Sequence, residues 1–358
     1  MIKVPAFVEM HCHLREPGFE EKETIETGSA SAIAGGYAAV CPMANTNPVN
    51  DNPETLKYIL SKAKDINIYP ICAITKGLAG KELTDMKTLK ESGAAAFSDD
   101  GRPIEDMGLL YEAMQTAKEL DILLISHAED SSIHDKYKFS EDIATARELE
   151  VLRSAGGTRY HFAHVSTKRS IDLIRQAKKD GLNVTCETAP HYFSLSKEDI
   201  IDARFKVNPP LRGAEDVEAV IEGLKDGTID VIATDHAPHT LEEKQKSWAD
   251  APMGIAGFET AFGAANTYLV KAGHLTLEEL IQKMSYNPTK ILGISNKGNF
   301  ALIDEDFEWT VKAADFKSKC KISPFEGKRL TGKVIQVITK KIPLSAQNAG
   351  LLARHCSA

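Results

Sequence analysis

Histidines at positions 11 and 13, followed by an arginine at 15, form the stretch of this chain with the most chemical potential. They close an apolar run that reads as a β-strand, and a strand sends alternate side chains to opposite faces. His11 and His13 therefore share a face, while Cys12 takes the other, where packing is its role. Two imidazoles on one face at a strand end make half of a metal site, because neutral imidazole is a common zinc ligand. Alone, a His-x-His pair is as readily two satisfied histidines in a turn. His127, His164, Asp100 and Asp235 decide between the readings. Hydrolysing or forming an unactivated amide near neutral pH needs a strong nucleophile and charge stabilisation for a tetrahedral intermediate. Two adjacent divalent metals supply both, by acidifying a shared water and polarising the carbonyl. Such a centre needs several imidazoles, a bridging anion and a carboxylate that moves protons. These six residues are of the right types.

Eight β-rich runs could position them, at residues 4–13, 37–42, 67–74, 94–100, 122–127, 160–165, 183–188 and 231–235. Amphipathic helical patterns lie between. Asn52 reads as an N-cap with Pro53 in the first turn and Leu56, Ile59 and Leu60 on one face. Ser166 or Thr167 caps a helix carrying Ile171, Ile174 and Ala177, and Gly181 ends it. Val217, Val220, Ile221 and Leu224 repeat the pattern before Gly227. Strand–helix alternation repeated eight times points to an α/β fold, a parallel (β/α)8 TIM barrel. A doubly wound open sheet is the runner-up, but no Gly-x-Gly-x-x-Gly follows the first strand. In a barrel, chemistry sits at the C-terminal strand ends. Metal-ligand residue types gather there on strands one, four, five, six and eight, which packing alone does not explain.

Composition narrows the rest. Hydrophobic residues are 42%, charged residues 26% and the formal net charge is −8, as expected of a globular chain with a large core. No basic run interleaved with aromatics suggests nucleic acid, and no apolar stretch suggests a membrane span or a signal peptide. Six scattered cysteines form no C-x-x-C pair, so the expectation is a cytosolic protein with reduced thiols. The barrel is expected over residues 4–296. Residues 297–339 read as a small β appendage with strands at 299–304 and 332–338, and residues 340–358 as a loosely held tail.

Seven motifs resemble type I dihydroorotase of the amidohydrolase superfamily: His-Cys-His-Leu-Arg-Glu-Pro-Gly from His11, Met-Ala-Asn-Thr-Asn-Pro from Met43, Phe-Ser-Asp-Asp-Gly from Phe97, His-Ala-Glu-Asp from His127, His-Val-Ser from His164, Asn-Pro-Pro-Leu-Arg from Asn208, and Ala-Thr-Asp-His-Ala-Pro-His from Ala233. The resemblance covers nearly the whole chain. It implies a zinc-dependent, reversible interconversion of N-carbamoyl-L-aspartate and L-dihydroorotate in pyrimidine synthesis. By position it implies one zinc on His11 and His13 and a second on His127 and His164. Many relatives bridge the metals with a carboxylated lysine at the end of strand four, and this strand has none. An aspartate should serve, and alternation favours Asp100, which shares the inner face with Ala96 and Ser98; Asp99 then reads as a supporting or capping acid. Asp235 resembles the catalytic aspartate, which also touches a metal. Arg15, Asn45 and His239 match positions that hold the substrate carboxylate, with His13 nearby, and Asn208, Met253 and Gly254 match positions near the ring amides. His161 and His191 match no role and read as supporting or core residues.

Two departures accompany the match. Glu9 stands where the family has an aspartate, and the longer acid is expected to shift the strand-one ligands slightly. The family's leading segment, which completes a small β-sandwich with the C-terminal strands, is not seen before His11. An incomplete sandwich is therefore expected, with Ile335, Val337 and Ile338 partly exposed. The resemblance leaves open a homo-oligomer and association with aspartate transcarbamoylase. The alternatives are a hydantoinase, dihydropyrimidinase or allantoinase, which bridge with lysine and lack the Arg15-type grip, and a catalytically weak subunit supporting aspartate transcarbamoylase, whose kind has lost metal ligands that this chain keeps.

Overall fold

Apolar alternation and helix caps divide the chain much as the sequence suggests, with one difference at the start. The computed structural model describes residues 1–133, 137 and 139–340, so the tail beyond Lys340 lies outside the described residues. The run expected as one strand over 4–13 is two strands, β1 (Ile2–Pro5) and β2 (Phe7–Cys12). They part at Ala6, which is buried and whose N–H donates to Asn299 O.

The other strands are β3 (Tyr37–Pro42), β4 (Asn67–Ile68), β5 (Ile71–Cys72), β6 (Ala96–Phe97), β7 (Leu123–Ser126), β8 (Arg159–Phe162), β9 (Val184–Thr188), β10 (Val231–Ile232), β11 (Phe300–Thr310) and β12 (Arg329–Ile338). Strands β2, β3 and β4 pair in that order, and β5 to β10 pair in sequence order, all parallel. β4 and β5 are halves of one stave. It is interrupted at Tyr69 and Pro70, yet Tyr69 N–H still reaches Val40 O and Pro70 O still accepts from Ala95 N–H. The circle closes where Cys12 bridges His236 in parallel and His13 N–H donates to His236 O at 2.8 Å. The result is a (β/α)8 barrel.

Val8, Met10, Ala39, Cys41, Ile71, Ala96, Ile125 and Val231 fill its interior as one buried cluster. Phe7, Val40, Phe97, Leu124, Phe162 and Val184 face outward against the helices. Ala96 inside and Phe97 outside is the alternation expected for strand four. Strand β2 is less regular. Its register against β3 shifts between Glu9 and Cys12, and such an irregularity re-aims the residues beyond it. Met10 can thus fill the interior while His11 and His13 still face the mouth.

The helices begin on side-chain caps. Asn52 Oδ1 accepts from Thr55 N–H at 3.0 Å ahead of the helix Pro53–Ser61, a contact worth about 1 kcal/mol. Thr167, rather than Ser166, caps Lys168–Lys179 by accepting from Ser170 N–H. Gly181, at φ +82°, turns the chain out of that helix.

The remaining sheet is antiparallel in the order β1, β11, β12, with Ile2 opposite Ile303 and Pro5 opposite Phe300. The appendage strands run longer than expected, and β1 supplies a third strand that sequence reading had placed in the barrel. One face buries Ala301, Ile303 and Leu330. Beside it, an open groove of about 780 Å³ lies between β12 and the helices Ile25–Ala34 and Phe258–Ala265. Ile335 and Ile338 are exposed and Val337 is half-buried. No helix among the described residues is long and apolar enough to cross a membrane.

Candidate active site

Counted round the barrel from β2, staves one (β2), four (β6), five (β7), six (β8) and eight (β10) deliver side chains at or just past their ends to one point at the barrel mouth. Asp100, two residues past Ser98 on the inner face, sits at its centre. Its Oδ1 lies 3.3 Å from His11 Nε2, 3.4 Å from His127 Nδ1 and 3.8 Å from His164 Nε2, and its Oδ2 lies 3.5 Å from His13 Nε2. Asp235 Oδ1 is 3.2 Å from His13 Nε2 and 3.6 Å from His11 Nε2. All six residues are buried. Burial opposes ionisation of Asp100, but the histidines around it hold its carboxyl well below the usual range. Asp235 is held low in the same way, against burial, by His13 and His11.

Several polar atoms of this cluster lack a hydrogen-bond partner among the described residues. His11 Nε2, Asp100 Oδ1 and His164 Nδ1 are buried without a hydrogen bond among the described residues, a costly state unless something else engages them. His11, Asp100 and His164 form one group that could hold a metal ion, and His11, His13 and Asp235 form another. His127 stands beside the first, with Nδ1 2.9 Å from His164 Nε2. His11 Nε2 and Asp100 Oδ1, both orphaned and 3.3 Å apart, suit a cation between them. The backbone here is strained as well: His164 (φ +34°) and Asp235 (φ +47°) are left-handed without being glycine.

Asp99 goes elsewhere. Its Oδ1 accepts from Ile74 N–H at 2.8 Å and Thr75 N–H at 3.0 Å, so it ties stave four to the loop after stave three.

The rim carries the remaining predicted residues. Asn45 Oδ1 lies 2.9 Å from His13 Nδ1, and Asn45 Nδ2 donates to Asp100 Oδ2 at 3.2 Å. Arg15, at φ +63°, donates from Nε to Pro238 O at 3.1 Å and brings Nη2 to 3.3 Å from His239 Nε2. His239 Nε2 also meets Met253 O at 2.8 Å. Burial and the Arg15 guanidinium push the His239 imidazole down to about 3, so it is neutral at pH 7. Gly254 has φ +129°, and a Cβ there would fall 2.5 Å from Ala237 O, so only glycine lets this loop close on the stave-eight segment. Asn208 Nδ2 donates to Glu129 Oε2 at 2.9 Å and lies 3.2 Å from His127 Nε2.

Several supporting residues escaped sequence reading. Glu187 Oε1 pairs with His11 Nδ1 at 2.9 Å and Oε2 with His161 Nε2 at 3.2 Å, which gives His161 its role. Burial opposes the charge, yet the two imidazoles bring Glu187 down to about 2. The available signal was its place in β9, where Val184 and Cys186 face out and Glu187 therefore faces in. Glu129 Oε2 holds His127 Nε2 at 2.8 Å, and that contact brings its carboxyl down to about 2 despite partial burial. Glu9 accepts from His11 N–H at 2.9 Å and Thr234 N–H at 3.0 Å, stitching stave one to stave eight. Burial raises its carboxyl to about 8 against those hydrogen bonds. His191 is buried with its ring against Tyr192, 4.2 Å between centroids, and its Nε2 has no hydrogen bond among the described residues.

Residues 1–147 match the dihydro-orotase-like family model. A dihydroorotase of Acetivibrio thermocellus is 48% identical over 360 residues, covering 92% of this chain and 84% of that one. One from Ruminiclostridium cellulolyticum is 46% identical and covers 95% of this chain and 86% of its own length. Among solved structures, the L-hydantoinase (dihydropyrimidinase) of Arthrobacter aurescens superposes with a TM-score of 0.86 at 26% identity, over 95% of this chain and 86% of that chain. Dihydropyrimidinase from Brevibacillus agri gives 0.83 at 20% identity, over 94% and 83%, a likeness of fold.

Proposed function

The chain belongs to the dihydroorotase family, and on that premise we propose that it interconverts N-carbamoyl-L-aspartate and L-dihydroorotate plus water in pyrimidine synthesis, with zinc as its metal. It is a hydrolase of cyclic amides. The observation that carries the reading is the convergence of four histidines on Asp100, with Asp235 beside them and the Arg15 guanidinium at the rim.

In this reading His11, His13, Asp100, His127, His164 and Asp235 are the residues that would hold the zinc, His11 with His13 and His127 with His164. Bound there, zinc would supply Lewis acidity and a nucleophile at neutral pH. Asp235 takes the proton of the attacking water and passes it to the ring nitrogen that leaves. Arg15, Asn45 and His239 orient the substrate carboxylate, for which the guanidinium fork is suited. Asn208, Met253 and Gly254 border the ring. Glu187 and Glu129 keep His11 and His127 turned toward the centre. Ring closure consumes one proton, so low pH favours cyclisation and high pH favours hydrolysis.

The same reading takes residues 4–296 as the hydrolase barrel and 297–339 as its appendage, with Ile2–Pro5 lending the appendage a strand, and places the enzyme in the cytosol. The likeness to hydantoinases fits as kinship: stave four ends in Asp99 and Asp100, not lysine. The test is zinc-reconstituted protein assayed in parallel on dihydroorotate, dihydrouracil and hydantoin, with metal content measured. Turnover confined to dihydroorotate is expected. Preference for either carboxylate-free ring, or folded protein that retains no divalent metal, would defeat the proposal.

A further inference from the structure

Two lysines donate to backbone carbonyls of the loop of residues 248–254. Lys244, 4% exposed, ends the short helix Leu241–Lys244. Its Nζ donates to the carbonyls of Lys206 (3.2 Å), Pro252 (3.0 Å) and Gly254 (2.9 Å). An ammonium has three N–H donors, and all are used on neutral oxygens. Lys206 Nζ donates to the carbonyls of Trp248 (2.6 Å), Ala249 (3.3 Å) and Ala251 (2.7 Å), and Lys206 O also accepts from Gly254 N–H at 2.9 Å. Burying an ammonium against neutral acceptors is costly, and burial indeed lowers the Lys244 amine to about 8. An apolar side chain would fill the space without that cost. What the lysines add is a fixed position for the loop.

That position decides a proton. Neutral His239 carries one ring N–H, on either nitrogen. With the proton on Nε2, the ring donates to Met253 O at 2.8 Å. With it on Nδ1, the ring faces Glu243 Oε2 at 3.4 Å, and the bare Nε2 accepts from Arg15 Nη2 at 3.3 Å. The second form uses up a guanidinium donor; the first leaves it free. Gly254 packs so tightly on Ala237 and His239 that the loop has little slack on this side.

We propose that Lys244, helped by Lys206, is a positioning residue for substrate binding: it fixes the Met253 carbonyl, which selects the Nε2–H form of His239 and keeps Arg15 Nη2 free to grip a carboxylate. This rests on the carboxylate-binding role proposed above for Arg15 and His239.

The test uses the full zinc-loaded chain with Lys244→Met and Lys206→Met. The His239 tautomer is read from long-range proton–nitrogen NMR spectra, beside KM and kcat for dihydroorotate and zinc content. In Lys244→Met the Nε2–H form should give way to Nδ1–H, and KM should rise roughly tenfold, the worth of one charged hydrogen bond. Turnover should stay within about twofold, since the lost contact serves ground state and transition state alike. Zinc content should not change. Lys206 is less enclosed, so Lys206→Met should move both readouts the same way by less, and it carries the test if Lys244→Met does not fold. A folded variant with wild-type tautomer and KM would overturn the proposal, as would a loss of kcat that follows a loss of zinc. A changed tautomer with unchanged KM would uphold the selection of the His239 proton and instead overturn the carboxylate grip on which its function rests.

Discussion

The floor of the barrel mouth and its rim solve opposite problems. On the floor, His11 Nε2 and Asp100 Oδ1 are buried, 3.3 Å apart and without hydrogen bonds. On the rim, Arg15 Nε, His239 Nε2, Lys206 and Lys244 all meet backbone carbonyls. The floor is arranged for something that arrives from outside. The rim is preorganised by the chain itself, so its shape should persist whether or not a metal is bound.

The largest expected effect breaks the floor. Asp100→Ala should strip zinc from the protein, seen by elemental analysis, because one carboxylate faces all four histidines. Asp235→Asn should keep the fold and lower kcat by roughly 10²–10⁴, the usual range for a lost proton carrier. Wild-type turnover there would remove Asp235 from the mechanism. Next comes the neighbouring acid. Asp99→Ala leaves the N–H groups of Ile74 and Thr75 buried and unpaired, so it should cost about 1–3 kcal/mol in denaturant melts while zinc content stays intact. Equal zinc loss in the Asp99 and Asp100 variants would erase the distinction between them. On the rim, Arg15→Lys should raise KM by roughly tenfold with little change in kcat, because a point charge replaces a planar fork.

The smallest effect lies behind the floor. Glu148 is buried, accepting from Ser126 Oγ at 2.6 Å and Tyr160 OH at 3.0 Å. Burial raises its carboxyl to about 7 although those hydrogen bonds pull the other way. An acid raised by folding binds its proton more tightly folded than unfolded. Its contribution to stability is full below the ordinary glutamate value and is lost as pH climbs to about 7. The Tm of Glu148→Gln relative to wild type should therefore improve between about pH 5 and pH 8. A constant offset would mean Glu148 does not titrate in that window.

The floor was far more legible in the sequence than the rim. His11, His13, Asp100, His127, His164 and Asp235 sit at or just past strand ends, where side-chain periodicity and the barrel rule act together. Asp99 and Asp100 parted because alternation assigns neighbours to opposite faces. The same logic reaches Glu187, an acid on the inner face of β9. It fails at the Glu9–Cys12 irregularity, where the phase slips and simple alternation cannot place both Met10 and His11 inside. It also missed β1, although Pro5, which cannot donate to a sheet ladder, stands at the split beside Ala6. Lys206 and Lys244 were invisible for another reason. Their partners are carbonyls, which every residue has, so nothing in residue type advertises the contact.

The pairing of β1 with β11 also sets a timetable. Ile2 and Ile303, which face each other, stand 301 positions apart. At about 5–20 residues per second of synthesis, β1 waits roughly 15–60 s for β11. Until then its N–H and C=O groups are open to any other extended chain, including another nascent copy. The appendage thus cannot seed folding; it can only be added once the whole barrel has left the ribosome. Any segment joined ahead of Ile2 would hang from a working sheet strand, next to a pairing that β11 must complete.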